Sequence, residues 1–495
     1  MEFDIKKDVM VSEKYVSPYT RFISEKNSEE LRELSHIKRF LECYGGDSDF
    51  RQQVKNGSKN LDELAESVGV KLKNIESLRP IIDPEYSHFR KDATRETWPL
   101  TAKWDEYYAN IMQSLAFYLQ SGNTDGEFKE FDLWRNRQII RTLLDVGSPA
   151  ASIVHPPVAF ELSDGCSVGC WFCGISAKKF GGHFALDKSG DVEWENTLIS
   201  VKKVLGKGLR TGFCYWATEP LDNPDYDKFI SKYYEIVGTI PQTTTAIPLK
   251  DISLTRKVLK LWDESKFVPN RFSVLSTSIL KKIHAEFTPE ELLGVELVMQ
   301  GKGSITSKSI AGKAIDERNR KREDSNMQEG TIACVTGFLI NIRNKTIRLV
   351  SPTLPSKQWP DGYYVFSSEK YKEPHEIENI MRKMIIDEVK RETDSNQKIG
   401  LNEGFWLDSI NEQLTVRNQK FGLSMKAFEI IAPLLKEGSN TPTHIVKQAV
   451  KSGCDPILAI RILQDMMLYG MTGNDYLRPA SIKSMEELID INIVN

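Results

Sequence analysis

Apolar positions change their spacing along the chain, and the change divides it. In residues 1–95 they recur at helical intervals, with Ile37, Phe40 and Leu41 on one face and Leu61, Leu64, Ala65 and Val68 resuming after a Gly45-Gly46 break. Side chains three or four positions apart share a helix face, so this stretch reads as short amphipathic helices. Longer helical patterns cover about 101–119 and 130–144. From His155 the texture becomes short β-rich runs, namely VAFEL, GFCYWA, TTTAIPL, RFSVLS, VELVMQ and TIACVTGFLINI. Helix-like segments such as 225–237 and 253–264 lie between them. Such alternation predicts repeated βα units, an α/β class and a parallel sheet. Residues 301–330 are rich in charge and poor in core residues, which predicts a mobile insertion. After Pro374 the pattern turns helical again, and 421–478 holds three helical patterns split by GSNTPT and SGCDP. There Thr441-Pro442 and Asp455-Pro456 read as an N-cap followed by proline in the first turn.

Five regions follow: a helical N-terminal region (1–95), a helical linker (96–150), a core (151–370), a helical connection (371–420) and a small, helical, winged-helix-like C-terminal module (421–495). The length of 495 residues is consistent with about three structural units at roughly 150 residues each. With 66 basic and 69 acidic side chains the net charge is −3, which argues against a basic nucleic-acid coat. No apolar run approaches the roughly 18 residues of a membrane helix, so no membrane partner is expected. The opening MEFDIKKDVMVSEKY lacks the apolar stretch of a signal peptide. Seven cysteines, an odd number scattered over a long chain, point to a reducing cytoplasm rather than a disulfide framework.

The chemistry concentrates in ELSDGCSVGCWFCG, where Cys166, Cys170 and Cys173 form C-x3-C-x2-C directly after the VAFEL run. Three thiolates on one loop can hold three irons of a [4Fe–4S] cluster and leave the fourth open to an external ligand. A four-thiolate zinc site usually has a second C-x2-C pair, and the chain has none. Cys43, Cys214, Cys334 and Cys454 are far apart in sequence, so one cluster is the economical reading. The seven histidines show no metal spacing; His155 suits a packing role, and His183, after Gly181-Gly182, is the one placed to reach the cysteine loop.

That loop resembles the radical S-adenosylmethionine (SAM) superfamily, whose motif is C-x3-C-x-aromatic-C, with Phe172 at the aromatic position. The resemblance implies a partial (β/α)6 radical SAM barrel, one [4Fe–4S] cluster, SAM bound at the open iron, and cleavage of SAM to a 5′-deoxyadenosyl radical by an external one-electron reductant. Ala217-Thr218-Glu219-Pro220 looks like a degenerate form of the family's Gly-Gly-Glu-Pro turn, which carries over Glu219 and the Thr218 backbone as contacts to the SAM ammonium. Ser276, at the end of RFSVLS, stands where the family often places a hydroxyl on the ribose; a serine at any strand end is the plain alternative.

From the cysteine loop to SPTLPSKQWPDGYYVF, about 155–370, the chain resembles the radical SAM peptide epimerases of proteusin-type ribosomal-peptide (RiPP) pathways. Those enzymes invert L-residues to D-residues: a Cα hydrogen is abstracted and a cysteine thiol returns hydrogen to the opposite face. Cys334, on the expected sixth strand, is the candidate donor, and Cys214 is its rival. Strand alternation sets 214 and 219 on opposite faces, so a Glu219 facing SAM turns Cys214 toward the helices. The stretch from Leu34 to Val70 resembles the helical leader of proteusin-type precursors, the other reading being a generic helical hairpin. A precursor peptide with its leader is thus the implied partner. Nucleic acid is not expected, because Lys426, Lys436, Lys447, Lys451 and Arg461 of the C-terminal module are dispersed rather than striped. A peptide cross-linking enzyme, a thiol-dependent lyase acting on DNA, and a leader-binding scaffold with a structural cluster are the competing readings.

Overall fold

The computed structural model describes residues 16–57, 60–265, 268–320, 327–392, 398–401, 405–408, 413–416, 419–422, 426–468 and 472. Helices α1 (Pro18–Ser24), α2 (Ser28–Gly46), α3 (Ser48–Asn56), α4 (Leu61–Ser67) and α5 (Arg79–Ile82) open the chain. Asn27 starts α2 with a reciprocal cap: its side chain accepts the Glu29 and Glu30 amides while Glu30 reaches back to its own backbone. The expected glycine break is real, since α2 ends at Gly46 and the Asp47 side chain caps α3. Long helices α6 (Pro99–Gln120) and α7 (Lys129–Val146) follow, each within two residues of the pattern that predicted it.

The core then alternates as β1 (Val158–Glu161), β2 (Ser163–Asp164), β3 (Gly182–His183), α8 (Lys188–Leu205), α9 (Tyr226–Val237), β4 (Thr244–Thr245), α10 (Ile252–Ser265), β5 (Asn270–Val274), α11 (Thr277–Glu286) and β6 (Val295–Met299). After it come β7 (Lys308–Ser309), α12 (Lys313–Arg320), β8 (Met327–Gln328), β9 (Gly337–Asn341), β10 (Thr346–Pro352), β11 (Tyr363–Lys370) and α13 (Ile377–Glu392). The result is a mixed α/β fold whose main strands form two sheets: β4-β5-β6, all parallel, and β1-β9-β10-β11, in which only β1 and β9 run parallel.

This corrects the expected six-stranded partial barrel in two ways. GFCYWA supplies a single bridge, Ala159 to Phe213, instead of a strand. At the end of the run the Ala217 amide donates to the Glu161 carboxylate at 3.1 Å, a partner 56 residues back, and not to a ladder carbonyl. TTTAIPL pairs over two residues only, between Pro241 and Pro248, and proline has no amide with which to prolong a ladder. The sixth run pairs with the first strand, and among the described residues no ladder joins β6 to β9, so the two sheets stay separate and no barrel closes.

Alternation sorts the side chains. Val158, Phe160, Phe338 and Ile340 pack outward among Trp194, Phe229 and Tyr233 of the helices, whereas Ala159, Leu339, Val350 and Val365 share an inner cluster with Phe213 and Trp216. The N-terminal helices sit beside β6. Tyr107 donates to the Leu293 carbonyl at 2.9 Å, Arg51 to that of Gly303 at 2.6 Å, and the Ile305 amide donates to Gly45 at 3.1 Å.

Two further expectations are corrected. Segment 301–330 is docked where it is described: β7 pairs with β8, the Gly312 amide donates to Pro360 at 2.8 Å, and the Lys313 amide donates to Cys173 at 3.0 Å. Lys308 is buried and the Lys313 ammonium donates to the Ala177 carbonyl at 2.7 Å, so part of the charge that composition reads as mobile ties the segment down. The supposedly helical connection 371–420 holds β12 (Phe405–Asp408) and β13 (Gln413–Val416), which with β14 (Gln419–Gly422) make an antiparallel sheet. Three helices, α14 (Lys426–Lys436), α15 (Pro442–Lys451) and α16 (Pro456–Leu468), then pack around Ile431, Leu435, Ile445 and Leu463, with Thr441 capping α15 as expected. Residues 473–495 of the C-terminal region lie outside the described residues. Among the described residues no helix is long and apolar enough to cross a membrane.

Candidate functional site

The cysteine loop leaves the end of β1 and is closed at its base by a small ladder. Ser163 pairs with His183 and Asp164 with Gly182. Inside this collar the Cys166 amide donates to Lys178 at 2.9 Å, and the returning chain passes so near that a Cβ on Gly165 would meet the Lys179 carbonyl at 2.4 Å. Gly165 therefore combines a close approach with φ +73°. His183 stands on the collar; its carbonyl accepts from Arg343 at 2.8 Å. His155 is a buried packing residue: its ring meets Thr336 at 2.7 Å, and burial pulls its pKa down to about 3.

All three loop cysteines are partly buried, free thiols. Burial pushes Cys170 up to about 11, and the neighbouring Cys166 and Cys173 push in the same direction. Burial raises Cys166 as well. A buried thiol beside two other cysteines is the more easily ionised with a cation present, which is the condition a bound iron cluster would meet. Among the described residues no three His, Cys, Asp or Glu side chains surround a position for a single metal ion. A cluster places its thiolates on separate irons, and three cysteines match that donor set. Phe172 stands edge-on to Trp171 at 5.4 Å, with the Lys308 ammonium 5.8 Å over its ring. The Cys173 sulfur accepts the Ala177 amide at 3.3 Å.

Asp222, which the sequence reading did not single out, clamps this loop from outside. Its carboxylate accepts the Ser167 amide at 2.9 Å, the Ser167 hydroxyl at 2.6 Å and Lys250 at 3.0 Å. Three residues earlier, Glu219 is 3% exposed. Its Oε1 takes the Thr245 hydroxyl at 2.6 Å and the Leu221 amide at 3.1 Å, and its Oε2 takes the Ala246 amide at 2.8 Å. A carboxylate has about four acceptor positions, so one remains open on Oε2. Burial pushes Glu219 up to about 7; the three hydrogen bonds pull the other way and Asp222 adds to the rise. Thr218 accepts the Trp216 amide at 3.5 Å. Ser276 caps α11 by accepting the Ile279 amide at 3.2 Å, which leaves its own hydrogen free to donate.

Cys334 does not lie on a strand. It precedes β9 in a segment held by Thr336, whose amide donates to Pro156 at 3.0 Å, and by Thr331, whose hydroxyl donates to Gly362 at 2.8 Å. Its side chain packs into the inner cluster together with Ile175, Tyr215 and Ala217. Burial pushes its thiol up to about 12, partly offset by Arg271. Cys214 is buried on the outer side, among Phe160, Trp194 and Tyr233, so the alternation argument matches its place in the fold. Cys334 thus meets the cysteine loop through Ile175, while Glu219 and Asp222 lie on the side of Cys166.

Sequence reasoning also missed the opposite flank, where Glu161, Arg348 and Asp361 line a cavity beside the loop. Asp361 lies in the WPDGYY stretch used for the resemblance, yet nothing in its spacing marks it as buried with Oδ1 left over.

Comparison with known proteins adds kinship without chemistry. No family model matches the chain. A likeness to the crystal structure of BtrN in complex with AdoMet and 2-DOIA covers 39% of this chain and 72% of that one, at 12% identity and a TM-score of 0.26, too slight to carry an argument. In Sinorhizobium fredii (strain NBRC 101917 / NGR234), the uncharacterized protein y4wI is 42% identical over 381 residues, which is 75% of this chain and 74% of its own length. The chain belongs to the family of y4wI.

Proposed function

We propose that this chain is a radical SAM enzyme that converts L-residues to D-residues in a ribosomally made precursor peptide. The observation that supports the reading is a fourth thiol packed against the segment that carries the other three. Three cysteines share a loop at the end of the first parallel strand, and a fourth, Cys334, packs in the same apolar cluster as Ile175 of that loop. When bound, the cluster and SAM supply one-electron chemistry that yields a hydrogen-abstracting radical. Cys166, Cys170 and Cys173 hold the cluster; Glu219 and the Thr218 backbone meet the SAM ammonium, and Ser276 meets the ribose.

Cys334 has the protonation state the reaction needs. A planar Cα radical has lost its configuration and must be quenched from one side. An S–H bond gives up hydrogen readily, and a thiol pushed up to about 12 keeps its hydrogen at neutral pH. A precursor peptide and an external one-electron reductant are the partners. Two measurements test the reading. Reconstituted protein should cleave SAM reductively to 5′-deoxyadenosine, and co-expression with a precursor peptide in D2O should place one deuterium at every inverted Cα. Absence of cleavage ends the radical SAM reading; cleavage with no inverted residue and no deuterium at Cα ends the epimerase reading and leaves the cross-linking one, and an inverted residue without deuterium ends only the thiol-donor assignment.

A further inference from the structure

We propose that the free edge of β6, with the apolar strip of α6 beside it, docks an extended, uncharged segment of the peptide as an added strand. The proposal rests on the peptide-substrate reading above and gives that substrate a place. A cavity of about 270 Å³ lies along this edge. Its walls take Arg271 and Glu296 from one face of the sheet and Leu297 and Met299 from the other, so it follows the edge of the strand and not either face. It is too small for a helix, which is about 10–12 Å across with its side chains, and it suits a single run of extended chain.

Three observations select a main chain as the occupant. First, the edge carries main-chain groups with nothing to bond. The Asn270 amide donates to the Gly294 carbonyl at 2.9 Å and the Gln300 amide to that of Val274 at 2.8 Å, so the even-numbered residues of β6 turn their main-chain groups toward β5. Val295, Leu297 and Met299 turn theirs to the free edge. The fold closes both ends of that row itself: the Val295 amide donates to Leu292 at 3.0 Å, and the Ser304 hydroxyl donates to the Met299 carbonyl at 3.1 Å. Between these ends the Val295 carbonyl, the Leu297 amide and carbonyl and the Met299 amide have no partner among the described residues. Leu297 lines the cavity and keeps 8% of its surface, so the row is reached from there. Acceptor, donor, acceptor, donor is the sequence that another strand completes.

Second, apolar side chains stand open along the same groove. Tyr108 and Met112, one turn apart on α6, are 50% and 44% exposed, and Ile305 in the same lining is 65% exposed. Side chains of an extended segment alternate, so one set can lie against these three while the main chain pairs with β6. Third, the charged groups of the lining are already paired, Lys38 with Glu42 and Arg271 with Glu296, the latter at 2.7 Å. An uncharged segment suits such a wall.

Position joins this edge to the proposed chemistry. Gln242, in the wall, accepts the Tyr215 hydroxyl at 3.3 Å, and Tyr215 packs in the inner cluster that includes Cys334. Arg271, also in the wall, is near enough to Cys334 to offset part of the rise in its thiol pKa. A segment docked on β6 therefore lies beside the residues that border the candidate hydrogen donor.

The test uses the full-length chain with its cluster reconstituted and a pair of probes: acetyl-Val-Thr-Val-Thr-Val-N-methylamide, and the same peptide methylated on every internal amide nitrogen. Saturation-transfer NMR should show the first probe bound and the second weaker by about tenfold or more, since methylation removes the donors and leaves the side chains. Hydrogen exchange of the unmodified protein gives a second arm that needs no variant: the first probe should slow exchange at 295–299. Joint replacement Tyr108→Ser and Met112→Ser, both at exposed positions, should weaken the first probe by about fivefold or more without moving the melting temperature. Equal binding of the two probes overturns the proposal, because the groove would then read side chains alone. Unchanged exchange at 295–299 overturns it too, as does the absence of binding by either probe. A dimer in sedimentation that excludes the first probe and already protects 295–299 would assign the edge to a second copy of the chain and overturn it as well. Probe binding without D-residues in a co-expressed precursor sinks the epimerase reading and leaves the docking edge intact; D-residues without probe binding sink only the docking edge.

Discussion

The two flanks of the cysteine loop treat their charged groups in opposite ways. On the side of β4, Glu219 accepts three hydrogen bonds and Asp222 three, all from protein donors. On the side of β9–β11, Arg348 Nε and Asp361 Oδ1 have no partner among the described residues, although both are buried. Native structures satisfy nearly all buried polar atoms, so the difference sorts the rim into a flank whose carboxylates the fold uses fully and a flank where one buried donor and one buried acceptor go unused. Burial alone would not separate them, since Glu219 and Asp361 are 3% and 5% exposed. What separates them is that Glu219 engages both oxygens with protein donors, whereas Asp361 is held by Ser176 and leaves Oδ1 over.

The largest effect falls on the loop where the flanks meet. Replacing Cys166, Cys170 or Cys173 with alanine should abolish both the visible absorbance of the cluster and the formation of 5′-deoxyadenosine. A triple-alanine variant that still cleaves SAM would remove the reason for treating either flank as part of a reaction site.

Cys334→Ala should be as severe for the product but not for the cofactor step. Its cluster should assemble and 5′-deoxyadenosine should still form, while D-residues vanish from the peptide and abortive products accumulate. Full epimerisation by this variant would detach the inner thiol from the chemistry. Loss of epimerisation in Cys214→Ala with SAM cleavage intact would transfer the donor role across β1, against the outward packing of Cys214 among Phe160 and Trp194.

How much of this was readable beforehand depends on whether the determinant is local. The cysteine loop, the capped helices and the outward turn of Cys214 follow from spacing, capping chemistry and a period of two, all properties of short segments. Strand pairing is not local. That TIACVTGFLINI lies beside VAFEL depends on contacts some 180 residues apart, and that GFCYWA fails to form a ladder depends on where the Glu161 carboxylate points. Cys334 was assigned to a strand because its neighbours Ile332 and Val335 look β-like, yet the ladder starts only at Gly337. Asp222 had a weak signal, an acid three residues past Glu219. Arg348 and Asp361 had none, because an unpaired atom is defined by what the rest of the fold fails to offer it.

The saturated flank makes a pH prediction of intermediate size. Burial holds the Glu219 pKa up near 7 against 4.5 for the free carboxyl, so the folded state binds this proton more tightly than the unfolded chain. Stability from this group is therefore complete below about pH 4.5 and is lost as pH rises through 7, by about 3 kcal/mol in all. Glu219→Gln should flatten that part of the pH profile and gain relative to wild type at pH near 8, as read from urea midpoints. It should also weaken SAM binding by about 1.5–3 kcal/mol while leaving the cluster assembled, because an amide carries no charge to assist the bond. An unchanged pH slope, or unchanged SAM affinity, would show that the open acceptor on Oε2 is not used.

The smallest effect tests the clamp itself. Asp222 accepts from Ser167 through both oxygens; in Asp222→Asn the amide oxygen keeps the Ser167 N–H, while the NH2 faces the Ser167 hydroxyl, which must turn to accept, and the Lys250 ammonium, whose contact is lost. The two Ser167 hydrogen bonds lose their charged acceptor, a cost of about 1–3 kcal/mol at this loop. Lys250 adds little to that figure, because its side chain is 56% exposed and the pair is screened by solvent. Cluster assembly should survive, since no thiol is touched, but iron should leave faster. Measured as the rate of iron transfer to a strong chelator, release should speed up about tenfold or more in Asp222→Asn and less than twofold in Lys250→Ala. Equal rates in wild type and Asp222→Asn would mean that the collar between Ser163–Asp164 and Gly182–His183 holds the loop unaided, and that the hydrogen bonds of this flank serve the fold rather than the cluster.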